Sequence, residues 1–71
     1  MATMVAVVKI GDSLRRLRER KALRQEDLAA LAGVGKNTVN RIEKNRTEPH
    51  MTTVRKLAEA LDVEPHELLD D

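Results

Sequence analysis

The sequence predicts an all-α domain of five short helices, and three observations predict it. Apolar residues recur at helical spacing, such as i, i+4, i+7, from Ile10 to Leu69. Gly33, Asn45, Pro49 and Pro65 interrupt that pattern often enough to end each helix within about three turns. Seventy-one residues make one domain, and without cysteine there is neither a disulfide nor a Cys-based zinc site to hold it together. A core this small typically yields only about 3–5 kcal/mol, so a partner subunit would help.

The chain divides into an N-terminal segment 1–9, a helical domain 10–69 and a frayed tail 70–71. Residues 1–8 are uncharged and valine-rich, with no basic start before the apolar run, so a signal peptide is not expected. β-Branching favours a short strand with Val5 and Val7 on one face. A lone strand needs a neighbour, which a second copy of the chain would supply in a dimer. A helical extension toward Leu14 and a disordered arm are the alternatives.

Helix 1 is expected from Ile10 or Gly11 to Lys21, with Ile10, Leu14 and Leu17 as its buried stripe. Arg15, Arg16, Glu19 and Arg20 fall on the solvated side, and Arg18 lies beside the stripe. Gln25 opens helix 2, where Glu26 and Asp27 suit the positive end of the helix dipole. Leu28, Leu31 and Ala32 form its expected stripe. Gly33 then leaves the right-handed basin without steric cost, and Val34 can fill the angle between helices. Helix 3 spans about Lys36 to Lys44, with Val39 and Ile42 inward. Asn45 can take the left-handed cap conformation, and Pro49 blocks further helix. Helix 4 runs from about Met51 to Leu61, its stripe being Met51, Val54, Leu57, Ala58 and Leu61. Glu64 and Pro65 start a short helix 5, in which Leu68 and Leu69 close the core or meet a partner.

This reading leaves Lys36, Asn37, Asn40, Arg41 and Lys44 on the outward face of helix 3. Long basic and amide side chains on a two-helix corner suit DNA base edges, Arg and Lys matching guanine and Asn matching adenine. Charge is polarised in the same sense. Residues 9–46 hold eleven Lys/Arg against five Asp/Glu, whereas residues 47–71 hold two against seven. The other function classes find little support. Ser13 and the threonines have no visible base partner. His50 and His66 sit on different elements without a ligand pattern, so no metal, cofactor or catalytic site is expected. There is no Gly-rich phosphate loop. Without aromatics, stacking platforms for single strands or RNA bases are missing. No apolar run approaches the roughly 20 residues of a membrane span.

The motif Gln25-Glu26-x-Leu28-Ala29-x-x-Ala32-Gly33-Val34, followed by Thr38-Val39-x-x-Ile42-Glu43, resembles the helix-turn-helix of the phage repressor/Cro family. Polar and apolar positions match in one register, and the resemblance extends from Ile10 to Leu69. It implies base reading by Lys36, Asn37, Asn40 and Arg41, with Asn37 and Arg41 ranked first for bidentate contacts. It implies phosphate contacts from Gln25, Thr38, Lys44, Asn45 and Arg46, with Gln25 also bracing the first reading residue. It further implies an ion pair between Arg18 and Glu43, and places Leu68 and Leu69 near a dimer interface. The sequence departs from the family pattern at Ala22, where glycine is common. It departs again at Arg24, Gly35 and His50, which take the cap positions of helices 2, 3 and 4.

The resulting expectation is a cytoplasmic, sequence-specific regulator of transcription, in the first instance a repressor. It would bind double-stranded DNA as a homodimer on an inverted repeat with half-sites about 34 Å apart. With no ligand domain, control would come through concentration or a partner protein. An antitoxin, a restriction-system controller and a helical protein-interaction module that does not bind DNA are the alternatives.

Overall fold

A computed structural model describes residues 10–69; the segment with Val5 and Val7, and the tail Asp70-Asp71, lie outside the described residues. Five helices follow in order: α1 (Gly11–Arg20), α2 (Gln25–Ala32), α3 (Lys36–Glu43), α4 (Met51–Leu61) and α5 (Pro65–Leu69). The described residues contain no strand. α2 packs on α3 and on α4, α1 reaches α3 and α5, and α5 also lies against α4. Their shared centre is made of Ile10, Leu14, Leu17, Leu28, Ala29, Ala32, Val39, Ile42, Val54, Leu57, Ala58, Leu61 and Leu68. Fully burying one of its Leu, Ile or Val side chains contributes about 1.5–3 kcal/mol.

Two apolar residues expected in the core, Leu31 and Met51, stand elsewhere. Leu31 is 62% exposed, and Ala29 takes the buried place beside Leu28 and Ala32. The stripe of α2 is therefore rotated toward its smaller residue, which lets two neighbouring helices approach closely. Met51 is 49% exposed, because the first residue of α4 projects past the rim of the core. Leu68 is fully buried within the chain and has no surface left for a partner, whereas Leu69 is 39% exposed.

Four of the helices stop in the same manner. Each is followed by a residue at positive φ: Ala22 (58°), Gly33 (71°), Asn45 (56°) and Asp62 (58°). In each case two backbone bonds close the end, for example Ala22 N–H to the Glu19 carbonyl at 2.9 Å and Leu23 N–H to the Arg18 carbonyl at 3.1 Å. This is the Schellman closure, which satisfies carbonyls the helix would leave free. Only Gly33 takes that conformation without crowding a Cβ.

The helix starts use little side-chain capping. Arg24 has no acceptor to offer α2, but its own N–H donates to Asp27 Oδ2 at 2.9 Å, one half of a capping box. The Arg24 guanidinium also donates to both Asp27 oxygens, at 3.1 and 3.2 Å. That hydrogen-bonded contact holds the Asp27 carboxyl below its usual range. Gly35 and His50 precede α3 and α4 without a side-chain cap.

The start of α1 is capped from a distance. Gly11 N–H donates to Asn45 Oδ1 at 3.1 Å, across 34 residues of chain. Gly11 is packed against the end of α3 so closely that a Cβ there would lie 2.4 Å from the Glu43 carbonyl oxygen and 2.7 Å from that of Ile42. The N-terminus of one helix thus meets the C-terminus of another, an arrangement favoured by their opposite dipole ends.

Candidate nucleic-acid interface

α3 is held from behind. Val39 and Ile42 are buried in the core, and Gly33-Val34-Gly35 turns the chain from α2 into it with Val34 against the core. Its last residue, Glu43, is also buried, its side chain only 3% exposed. A carboxylate so placed needs partners, and it has three donors. Arg18 Nε donates to Oε2 at 2.6 Å and Arg18 Nη2 to Oε1 at 3.1 Å. Gln25 Nε2 donates to Oε1 at 3.0 Å. The Arg18 guanidinium, 12% exposed, uses its remaining arm on the Leu23 carbonyl at 2.7 Å. Its pKa is raised above the ordinary value, chiefly by the hydrogen bonds to Glu43. One bidentate ion pair therefore joins α1, α3 and the turn before α2.

Lys36, Asn37, Arg41 and Lys44 are exposed, as the helical period requires, while Thr38 and Asn40 are half-buried. Arg46 is exposed, with its backbone N–H donating to the Arg41 carbonyl at 2.9 Å in the closure of α3. Among the described residues, none of Lys36, Arg41, Lys44 or Arg46 is engaged in an ion pair. The result is an uninterrupted set of uncommitted donors on one helix and the loop after it. Asn45 has its Oδ1 occupied by Gly11, so its uncommitted donors are those of Nδ2. An Asn presenting only donors suits a phosphate oxygen, which only accepts.

Gln25 braces a different residue of α3 from the one expected. Its amide does not reach the first residue of α3. It accepts from Asn40 Nδ2 at 3.1 Å, one turn further along, while donating to Glu43. The sequence held one clue to this link, since Asn40 and Glu43 are three apart and share a face of α3. That Gln25 would lie opposite both required knowing the angle between the helices.

Comparison with known proteins follows the same residues. A helix-turn-helix family profile matches residues 14–68. The restriction-modification controller protein C.AhdI from Aeromonas hydrophila superposes with a TM-score of 0.83 at 44% identity, over 87% of this chain and 94% of that one. The P22 c2 repressor, solved with a synthetic operator, superposes with a TM-score of 0.80 at 30% identity, over 86% of this chain and 92% of that one. In sequence, the cryptic phage CTXphi transcriptional repressor RstR of Vibrio cholerae is 43% identical over 86% of this chain and 55% of its own length. The chain spans about half the length of several curated relatives it matches.

Proposed function

The chain belongs to the helix-turn-helix family of phage repressors and Cro, and from that premise we propose that it is a sequence-specific double-stranded DNA-binding regulator of transcription, acting as a repressor. One observation carries the reading: α3 is pinned along its inner face by Val39, Ile42 and the Arg18–Glu43 pair, and bears uncommitted Lys36, Asn37 and Arg41 on its outer face. A rigid helix with such a face fits the major groove, which is wide enough to admit an α-helix.

In this reading Lys36, Asn37, Asn40 and Arg41 meet base edges. Gln25, Thr38, Lys44, Asn45 and Arg46 serve the backbone, with the Asn45 and Arg46 donors the best placed for phosphate. The protein acts in the cytoplasm as a homodimer, because one such helix buries too little surface to be both tight and selective. Residues 10–69 form the DNA-binding domain. Among them no helix is long and apolar enough to cross a membrane.

Selection from a random double-stranded pool tests this directly. The expected product is an inverted repeat with half-sites one turn, about 34 Å, apart. Against that operator, Arg41→Ala should lose discrimination at one base position by about 1–3 kcal/mol, whereas Arg46→Ala should weaken all sequences alike. Recovery of nothing above background at low salt would reject the reading and point to protein partners. A second reading, control of a restriction–modification system, is supported by the 44% identity to C.AhdI across 94% of that chain. It predicts that the selected sequence occurs upstream of a restriction or methyltransferase gene.

A further inference from the structure

We infer that Asn40 is a fixed adenine reader, its amide locked in one orientation by a relay that runs from Arg18 through Glu43 and Gln25. The inference rests on the DNA-binding reading above and assigns a base to one position of it. The relay begins with a group whose polarity cannot change. Arg18 has donors only, and the ionised Glu43 carboxylate has acceptors only. Gln25 must therefore turn its Nε2 toward Glu43 Oε1, and the bond there is 3.0 Å. Reversing that amide would set its oxygen against a carboxylate oxygen. With Nε2 committed, Oε1 is the end left for Asn40, whose Nδ2 donates to it at 3.1 Å. Reversing Asn40 would again oppose two acceptors. Each amide is thus oriented by the one before it, and all members are buried or half-buried, where an unmet polar contact is most costly.

The consequence lies in what Asn40 has left. One of its N–H bonds is committed to Gln25, which leaves one N–H donor and the Oδ1 acceptor. Adenine offers the complement in the major groove, an N7 acceptor beside an N6–H donor. Guanine offers two acceptors there, N7 and O6, and would meet Oδ1 with a second oxygen. An unrestrained Asn could turn both N–H bonds toward guanine. Asn40 cannot do so without giving up Gln25. In this scheme Asn40 is the specificity residue, and Gln25 is a positioning residue that acts through it.

The operator recovered by selection supplies the test. Each adenine is replaced singly by guanine, and separately by 7-deazaadenine, which lacks the N7 acceptor. Dissociation constants are read by anisotropy of a labelled duplex. For the unmodified protein, one position per half-site should lose about 5- to 150-fold on either replacement. Asn40→Ala should bind adenine, guanine and 7-deazaadenine at that position within about twofold of one another. Gln25→Ala should lower the adenine-to-guanine ratio there several-fold and leave the ratios at other positions unchanged. Both variants keep the Arg18–Glu43 pair, and circular dichroism checks that they are folded. If Asn40→Ala leaves every adenine preference intact, the assignment of Asn40 is overturned while DNA reading stands. If Gln25→Ala weakens all sequences equally and keeps the adenine-to-guanine ratio, the relay is overturned and Gln25 serves the phosphate backbone alone. A pool with no sequence preference overturns both the DNA-binding reading and this one.

Discussion

Ala22 sits in the left-handed region at φ 58° with nothing but its place in the turn to keep it there. For an L-residue with a Cβ that conformation costs about 1–2 kcal/mol, and glycine avoids most of the cost. Part of the gain is returned, because glycine makes the unfolded chain freer. Ala22→Gly should therefore stabilise the protein by about 0.5–1 kcal/mol, seen as a rise of several degrees in Tm in a thermal melt. An unchanged or lower Tm would show that the loop relaxes around alanine at no cost. Asn45 is the counter-case at the same kind of position. Its side chain also caps α1, so glycine there would give up a hydrogen bond in exchange for an easier backbone.

At the scale of elements, the α1–α3 seam and the start of α2 each make a prediction. Gly11 faces the Ile42 and Glu43 carbonyls, which are backbone atoms and cannot swing aside as the end of a side chain would. Gly11→Ala must force the two helices apart, with an overpacking cost of about 1–3 kcal/mol or more. Chemical denaturation should show that loss, and DNA affinity should fall with it because the end of α3 moves. At α2, Arg24 holds the Asp27 carboxyl below its usual range. A carboxylate with a lowered folded pKa stabilises the fold above its unfolded value, about 3.9, and the contribution disappears as pH falls through the folded value. Asp27→Asn should thus lower Tm near neutral pH, with the two melting curves converging in acid.

The same elements show what periodicity could and could not reveal. Helix bounds followed closely from Gly33, Asn45 and Pro49, since these residues act through local backbone chemistry. The Arg18–Glu43 pair was legible only through family resemblance, because the contact joins residues 25 apart. The choice between Leu31 and Ala29 was misread for a physical reason. Both flank the Leu28–Ala32 line on α2, and hydropathy favours leucine, whereas close packing of three helices admits the smaller residue. The bond from Asn40 to Gln25 was beyond reach for the same reason, as it depends on the angle between two helices.

Over the whole chain, charge is unevenly divided along the sequence. The basic half of the chain contains α3 and the loop after it, and the acidic half forms α4 and α5. If Lys44 and Arg46, the two cations assigned to the backbone, each neutralise one phosphate, the logarithm of affinity should fall against the logarithm of salt with a slope of about −2 per protomer. A homodimer engaging both half-sites should double that slope to roughly −4, so a salt titration counts protomers on DNA. A slope near zero would mean that these side chains do not touch the backbone.

The chain's three glycines fall at three distinct mechanical points. Gly33 ends α2, Gly35 precedes α3, and Gly11 is wedged at the far end of α3. A sample labelled with nitrogen-15 in glycine alone would accordingly give a three-line spectrum with one probe on the turn, one on the entry to α3 and one on its exit. Gly11 N–H, bonded across the seam to Asn45, should exchange with deuterium only when α1 and α3 separate. A spectrum of three signals would then report whether a ligand grips α3 at its start, at its end or along its whole length.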